Sequence, residues 1–409
     1  MFENVLYQNA VKNLASNLHN NMLPNSILFS GPASSGKLTC ALELARVLSC
    51  QGNGKVRGDW NCTCPSCLKN KALVSQNLLI TGPKNCFLEI AASRETFLSA
   101  LTQNKPYLQA ANYLFVRSVR KLTSRFNPVF YEGEDNIQKI SALIQPIDQI
   151  LEDLDPLKIS EQYKNGKIDV EQITKLADEL LSLCEKLETS SMKASILISH
   201  IRNASKWAQY TAVEGKKVLI IENADKMNDS SRNALLKILE EPPENMIFIL
   251  TTERKSAIMP TILSRVRNYT FSERSIEQES TVIERIFHSE KKCSINEYLY
   301  EYLPVGKEKL EDLSEKFLES INNSRLLDFE ELSKEANDFK PLVLFQMFLE
   351  KLFENGKKRI RTEGYQRQNI LYGEKQIFLL KKVQECYESV TIYNQTPSRA
   401  LQKLAGDLL

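Results

Sequence analysis

Short apolar runs that alternate with helical patterns mark two parts of the chain. Apolar runs predict buried strands at residues 26–31, 216–221 and 246–252. Between the last two, NALLKILEE (Asn233 to Glu241) has apolar residues at helical spacing. Pro242 and Pro243 end this helix, because neither can donate the helical hydrogen bond. Apolar strands that alternate with helices favour an α/β fold with a parallel sheet covered on both faces.

Residues 86–195, and those beyond about residue 272, have a helical period and little strand signal. The first region contains LIQPIDQILEDL and ITKLADELLSLCEKL, and the second contains KPLVLFQMFLEKLF and QIFLLKKVQECYESV. We therefore predict a helical segment within the α/β part and a helical C-terminal part.

A run of basic residues lies within the predicted helical segment. It comprises Arg117, Arg120, Lys121 and Arg125 and is followed by the acidic residues Glu132, Glu134 and Asp135. Such a run usually marks a solvated helix face, which is the interpretation we favour. Contact with DNA or with a partner protein is the alternative.

Composition limits the class of protein. The chain has 409 residues, of which 42% are hydrophobic and 25% charged, and its formal charge is +2. This length predicts two or three domains, and the charge gives no global attraction to nucleic acid. The N-terminus MFENVLYQNAVKNL lacks the features of a signal peptide, and no apolar run approaches the roughly 20 residues of a membrane span. We expect a cytoplasmic protein with no membrane contact.

Four of the nine cysteines, Cys50, Cys62, Cys64 and Cys67, lie close together in the sequence. Since disulfides are rare in the cytosol, clustering there indicates a metal, and four thiolates form a closed structural zinc site. Cys64-x2-Cys67 has the usual knuckle spacing, whereas the step from Cys62 to Cys64 is tighter. The alternative is that loop cysteines cluster by chance. We expect the other five to be small buried hydrophobes: Cys40, Cys86, Cys184, Cys293 and Cys386.

The stretch GPASSGKLT resembles a phosphate-binding loop. Gly31, Gly36 and Lys37 match the pattern G-x-x-x-x-G-K-[ST], but Leu38 replaces the hydroxyl residue that would hold magnesium. A predicted strand before the loop and a predicted helix after it provide the expected context. The candidate nucleotide-binding residues are Gly31, Pro32, Ser34, Ser35, Gly36, Lys37, Leu38 and Thr39. The alternative is a glycine-rich turn that packs a helix on the sheet.

A second element of such a site is an acid at the end of an apolar strand. Here VLIIENAD supplies Glu222 followed by Asn223, where a hydrolase would carry Asp followed by Glu. An amide cannot act as a general base. Leu38 and Asn223 therefore change two parts of the same catalytic machinery.

The segment ENADKMNDSSRNALLKILEEPPENMIFILTTERKSAIMPTILSRV resembles the bacterial clamp-loader subunits of DNA polymerase III, namely the delta-prime and gamma/tau AAA+ subunits. The resemblance also covers residues 1–67 and continues from about residue 196 to the end. It implies an AAA+ P-loop module at 1–272, with a zinc module at 50–67 and a helical insertion at about 86–195. A helical lid at 273–329 and a helical collar at 330–409 would follow.

The resemblance also implies roles for single residues. Arg265 in PTILSRV stands where the family places an arginine finger that acts on a neighbouring subunit's ATP, and Thr251 stands at the sensor on the central strand. Glu222 and Asn223 form a degenerate Walker B element. The family's second sensor is normally an arginine, and it is not identified here, since Lys309 stands at the expected position.

The preferred hypothesis is a delta-prime-like clamp-loader subunit with weak or absent hydrolysis of its own. It would be a component of the DNA polymerase III holoenzyme and would carry structural zinc, with ATP and magnesium bound weakly if at all. Its partners would be the other subunits of the ring and, through the complex, the sliding clamp and primer-template DNA. The alternatives are a divergent gamma/tau ATPase motor subunit and an unrelated zinc-bearing structural protein.

Overall fold

The computed structural model describes residues 1–53, 57–210, 215–322, 328–367, 372–391, 393 and 395–409. These residues form two compact units, Met1–Tyr300 and Glu301–Leu409. The boundary between the units lies within the 273–329 segment.

The first unit contains a five-stranded parallel sheet with the order β2-β3-β4-β1-β5. Its strands are β1 (Ser26–Ser30), β2 (Leu78–Thr81), β3 (Lys217–Ile221), β4 (Met246–Thr252) and β5 (Arg267–Thr270). The predicted parallel sheet is confirmed, and the three predicted strands are β1, β3 and β4. The strands β2 and β5 were not predicted from the sequence.

Thirteen helices are described in this unit. They are α1 (Ala10–His19), α2 (Lys37–Leu48), α3 (Pro65–Lys71), α4 (Phe87–Thr102), α5 (Leu108–Thr123), α6 (Ile137–Asp153), α7 (Pro156–Lys164), α8 (Val170–Ser191), α9 (Ile198–Gln209), α10 (Asp229–Glu240), α11 (Pro260–Leu263), α12 (Ile276–Phe287) and α13 (Ile295–Tyr300). The helices predicted within 86–195 are therefore found, as is the helix that ends before Pro242.

Successive residues of the central strands pack on opposite faces of the sheet. On β1, Ile27 and Phe29 join a core cluster with α1 and α2, whereas Leu28 joins the cluster formed with α4 to α10. This alternation follows from the two-residue period of a strand. Because both faces are covered, β1 to β4 are buried throughout, as parallel strands generally are. The helical segment 87–191 is thus part of the core.

The basic run of this segment does not form the solvated face that we predicted. Arg125 is buried, and Arg117, Arg120 and Lys121 are half-buried. Arg117 and Arg120 donate to the backbone oxygens of Lys71 and Ala72, at the end of α3. The prediction was wrong because a periodic pattern cannot distinguish a hydrated arginine from one whose partners lie far away in sequence.

The second unit is helical. It contains α14 (Lys307–Asn322), α15 (Phe329–Glu335), α16 (Leu342–Arg367), α17 (Tyr372–Thr391) and α18 (Pro397–Leu408). Its core includes Phe317, Phe339, Phe345 and Phe348. The two helices predicted from the sequence lie in α16 and α17. Within the described parts of the chain, none of the helices combines the length and apolar character needed to span a membrane.

Candidate functional site

The candidate loop lies between β1 and α2, at the edge where the carboxyl ends of the parallel strands meet. In such sheets ligands bind beyond these strand ends. Gly31 is required there, because a Cβ at this position would lie 2.4 Å from the backbone oxygen of Phe271. Gly36 has φ +94° and stands immediately before α2. The structure therefore explains why glycine stands at both positions of the sequence pattern.

Lys37 points back into its own loop. Its Nζ donates to the backbone oxygen of Gly31 at 2.7 Å and to that of Pro32. Burial lowers the pKa of Lys37 to about 8, although the carboxylates of Glu253, Glu222 and Asp225 oppose this shift. The lysine that would cradle a phosphate is thus satisfied by protein oxygens in this structure.

The other loop residues are also used locally. Ser35 Oγ donates to the oxygen of Pro32 at 2.8 Å, and Leu38 packs against the apolar cluster with α1 and α2. Arg274, which the sequence analysis missed, donates to the backbone oxygens of Ser34 at 2.8 Å and Leu6 at 2.9 Å. Hydrogen bonds from Ser35, Lys37 and Arg274 to backbone oxygens therefore hold the loop in this conformation.

Glu222, directly after β3, is the acid of the element that the sequence predicts to be a degenerate Walker B. Its carboxylate accepts a hydrogen bond from Lys84 Nζ at 3.0 Å and forms a buried ion pair with Arg125. Burial alone would raise the pKa of Glu222, but Lys84 and Arg125 outweigh it and hold the pKa below its ordinary value. Neither cation was predicted to belong to the site, because both come from outside the motif.

Asn223 has a structural role of its own. It adopts a left-handed conformation with φ 54°, and its Nδ2 donates to the backbone oxygen of Pro83 at 2.7 Å. Its backbone N–H donates to Thr251 Oγ1 at 3.3 Å, and Thr251 is buried on β4. The structure thus brings together Glu222, Asn223 and Thr251. Asn223 contributes an amide to this group, and an amide cannot act as a general base.

Arg265 lies between α11 and β5, and its side chain is 34% exposed. Its guanidinium donates to Glu240 Oε1 at 2.9 Å and to the backbone oxygen of Thr261 at 2.9 Å. Glu240 is itself more than half exposed. Exposed ion pairs contribute about 1 kcal/mol or less to the free energy of folding, so this contact holds Arg265 only loosely.

The four clustered cysteines form a compact group. Their Sγ atoms all lie within 4.8 Å of one another, and those of Cys50 and Cys62 are 3.7 Å apart. Tetrahedral zinc with Zn–S bonds of about 2.3 Å requires sulfurs about 3.8 Å apart, so these residues fit a zinc site with four cysteine ligands. The identity of the metal stays a prediction.

Backbone N–H groups favour the thiolates of Cys50 and Cys64. Gly58 and Gly52 direct their N–H groups at the sulfur of Cys50, at 3.2 Å and 3.4 Å. Burial raises the pKa of Cys64, but N–H groups of Cys67 and Gln51 outweigh it and lower the pKa to about 6. Since thiolate is the form that binds a metal, the surroundings of Cys50 and Cys64 suit the predicted site, whereas burial and the neighbouring thiols raise the pKa of Cys67.

The remaining cysteines differ in burial. Cys40, Cys86, Cys184 and Cys386 are buried, as predicted, whereas Cys293 is only half-buried. Cys293 lies in the turn between α12 and α13, which leaves part of its side chain at the surface. For Cys293 the prediction of a buried hydrophobe was wrong.

Arg46 of α2 connects the cysteine cluster to the sheet domain. Its guanidinium is 1% exposed and donates to Cys67 Sγ at 3.1 Å and to the backbone oxygens of Gly58 and Asp59, both at 2.9 Å. It also pairs with Glu43 at 2.6 Å. The helix α2 therefore begins at the candidate loop, and Arg46 near its end contacts the cysteine cluster.

Comparisons with known proteins agree on one group. Residues 7–275 match the family described as DNA polymerase III, delta subunit. DNA polymerase III subunit delta' of Pseudomonas aeruginosa is 36% identical over 80 residues, which are 19% of this chain and 24% of that protein. Subunit gamma/tau of Mycobacterium tuberculosis is 43% identical over 65 residues, 16% of this chain and 11% of that protein. The chain thus matches about a tenth to a quarter of the length of these relatives.

Among solved structures, a DNA polymerase III gamma subunit-related protein of Thermotoga maritima aligns with a TM-score of 0.25 and 19% identity. The alignment covers 57% of this chain and 88% of that one.

Proposed function

The chain belongs to the DNA polymerase III, delta subunit, family, and on this premise we propose that it is a delta-prime-like subunit of the clamp loader. In this proposal it occupies a place in a hetero-oligomeric ring and supplies Arg265 to the ATP site of a neighbouring subunit. It hydrolyses little or no ATP itself. The sliding clamp and primer-template DNA are its partners through the complex, and it works in the cytoplasm.

One observation carries this proposal: the groups that would hold a nucleotide and its metal are engaged with the protein. Lys37 is bonded to its own loop, and Glu222 is paired with two cations. Leu38 offers no hydroxyl, and Asn223 is bonded to Pro83. Arg265, in contrast, is about one-third exposed and loosely paired, as a residue that acts on a neighbour's phosphate must be.

The alternative is a gamma/tau-like motor subunit. It is favoured by the retention of Lys37 and Glu222 and by the identity with gamma/tau proteins. A motor subunit would bind and hydrolyse ATP with its own loop.

ATP turnover by the isolated chain separates the two functions. We expect no phosphate release above that of the Lys37→Ala variant, because neither a metal-binding hydroxyl nor a general base is in place. The measurement is steady-state phosphate release with magnesium, with the DNA clamp and DNA absent. Turnover that Lys37→Ala abolishes would establish the motor function instead.

We further propose that Cys50, Cys62, Cys64 and Cys67 bind structural zinc. Protein purified without chelators should contain one zinc ion per chain by metal analysis. Cys67→Ser should lose most of that zinc, because a hydroxyl is a poor zinc ligand and Cys67 also accepts the bond from Arg46. Cys40→Ser, a buried cysteine of α2 outside the cluster, is the matched control and should keep its zinc. A zinc content near zero in the wild-type chain would refute the proposal.

The lid at 273–329 and the collar at 330–409 also remain part of this proposal. The helices α14 to α18 would hold the subunit in the ring.

A further inference from the structure

Glu222 has a buried carboxylate directly after β3. In a hydrolytic site of this type, an acid at the end of such a strand positions magnesium. In this chain the same carboxylate has one oxygen on Lys84 and the other on Arg125. Both oxygens are therefore already neutralised by cations of the protein.

Arg125 comes from the helical segment 87–191 and reaches the strand end in a fixed position. It lies in the short helical turn that follows α5, and its side chain is 2% exposed. One guanidinium nitrogen donates to the backbone oxygen of Lys121, and another donates to Glu222. The fold thus places this charge beside the acid.

Further contacts hold the segment at the strand end. The carboxylate of Glu188 on α8 accepts hydrogen bonds from the backbone N–H groups of Cys86 at 2.8 Å and Phe87 at 3.0 Å. Lys121 of α5 pairs with Glu89 of α4. Asn203 of α9 donates to the backbone oxygen of Phe130 at 3.0 Å. Arg125 is consequently anchored through several helices.

Charge repulsion from Lys84 and Arg125 opposes the binding of a divalent cation at Glu222. A divalent cation at Glu222 would have to displace two positive groups or lie beside them. At a separation of a few ångströms, such repulsion amounts to several kcal/mol even at a high effective dielectric constant. A buried guanidinium cannot lose its charge, because it stays protonated in proteins.

We propose that Arg125 of the helical segment 87–191 and Lys84, which precedes it, take the role of a divalent cation at Glu222 and keep this site free of metal. The segment thereby acts as a built-in inhibitor of metal binding. This inference deepens the proposed function and rests on it only for the identification of the loop as a nucleotide-type site.

Binding of Mn²⁺ to the isolated, zinc-loaded chain tests the inference, with free Mn²⁺ followed by electron paramagnetic resonance. The wild-type chain should bind no Mn²⁺ through Glu222. Arg125→Gln and Lys84→Gln should each bind Mn²⁺ at least about tenfold more tightly than the wild type, because one competing charge is removed. Adding Glu222→Gln to either variant should abolish the gain. Arg117→Gln, which removes an arginine of α5 that donates only to a backbone oxygen, should behave as the wild type.

Lys84→Gln should fold even if Arg125→Gln does not, because the Lys84 side chain is 39% exposed and its replacement opens no core cavity. The inference is overturned if folded variants bind Mn²⁺ no more tightly than the wild type. It is also overturned if the gain survives Glu222→Gln, or if the wild-type chain already binds Mn²⁺ through Glu222. These results concern the isolated chain and leave the role of Arg265 in the complex to be judged separately.

Discussion

Replacing Arg46 with methionine should lower the free energy of unfolding of the Met1–Tyr300 unit by about 3–5 kcal/mol. The guanidinium of Arg46 pairs with Glu43, which is 3% exposed. Without it, Glu43 would keep only the bond from the backbone N–H of Phe2, at 3.3 Å. A buried carboxylate that loses its cation is costly, and two backbone oxygens and Cys67 would lose their donors as well. Denaturant unfolding at fixed zinc concentration measures this loss.

Two further variants make this test specific. Both Arg46 and Lys71 lie over the ring of Trp60. Lys71→Met removes the second of these cations, which also donates to the backbone oxygen of Cys62, but it leaves no buried acid unpaired. Its effect on the free energy of unfolding should be about 1 kcal/mol. Replacing both members of the pair, as Glu43→Leu with Arg46→Met, should destabilise the unit less than the sum of the single changes. A loss below about 1 kcal/mol for Arg46→Met would mean that the buried pair does not support this unit.

The sequence predicted the parts of the sheet that have the strongest apolar signal. The strands β1, β3 and β4 are runs of five to seven residues that are buried throughout. The four-residue strand β2 has too few residues for periodicity to detect. In β5 only Tyr269 is buried among the residues Arg267 to Thr270, so the apolar run is missing.

Motif spacing and distant contacts explain how much of the site could be predicted. The loop and the cysteine cluster are local in sequence, so their spacing is visible. The ion pairs of Glu222 join residues 97 and 138 positions apart, and these cannot be inferred from spacing. Arg46 likewise looks like an ordinary helix residue until the fold brings the cysteines over it. The basic run was noticed, but the burial of Arg125 depends entirely on tertiary packing.

Arg265→Ala should reduce the DNA- and clamp-stimulated ATPase of a reconstituted clamp-loader complex without changing the fold of this chain. An arginine finger contributes about 10³ to 10⁵ to the rate in GTPases, because its guanidinium stabilises charge on the transferred phosphate. The loss in bulk turnover should be smaller, since other subunits keep their own interfaces. The fold should be unaffected because Arg265 is about one-third exposed and its pair with Glu240 lies at the surface. Arg265→Lys should rescue only in part, since an ammonium cannot make the two-pronged contact.

Arg267→Ala is the matched control for this position. Arg267 is exposed, lies two residues along the chain and stacks on Tyr269 with 5.9 Å from its guanidinium carbon to the ring centroid. Its replacement should leave ATPase activity close to that of the wild type. Equal losses from Arg265→Ala and Arg267→Ala would indicate a general effect of surface charge.

We propose that this chain contributes Arg265 to another subunit's ATP site and performs little or no hydrolysis at its own loop. The most direct measurement is the steady-state ATPase of the same reconstituted complex carrying either Arg265→Ala or Lys37→Ala, with assembly confirmed by size-exclusion chromatography. We predict a strong loss of activity for Arg265→Ala and near wild-type activity for Lys37→Ala. Wild-type activity for Arg265→Ala together with a strong loss for Lys37→Ala would contradict the claim and identify this chain as a motor subunit.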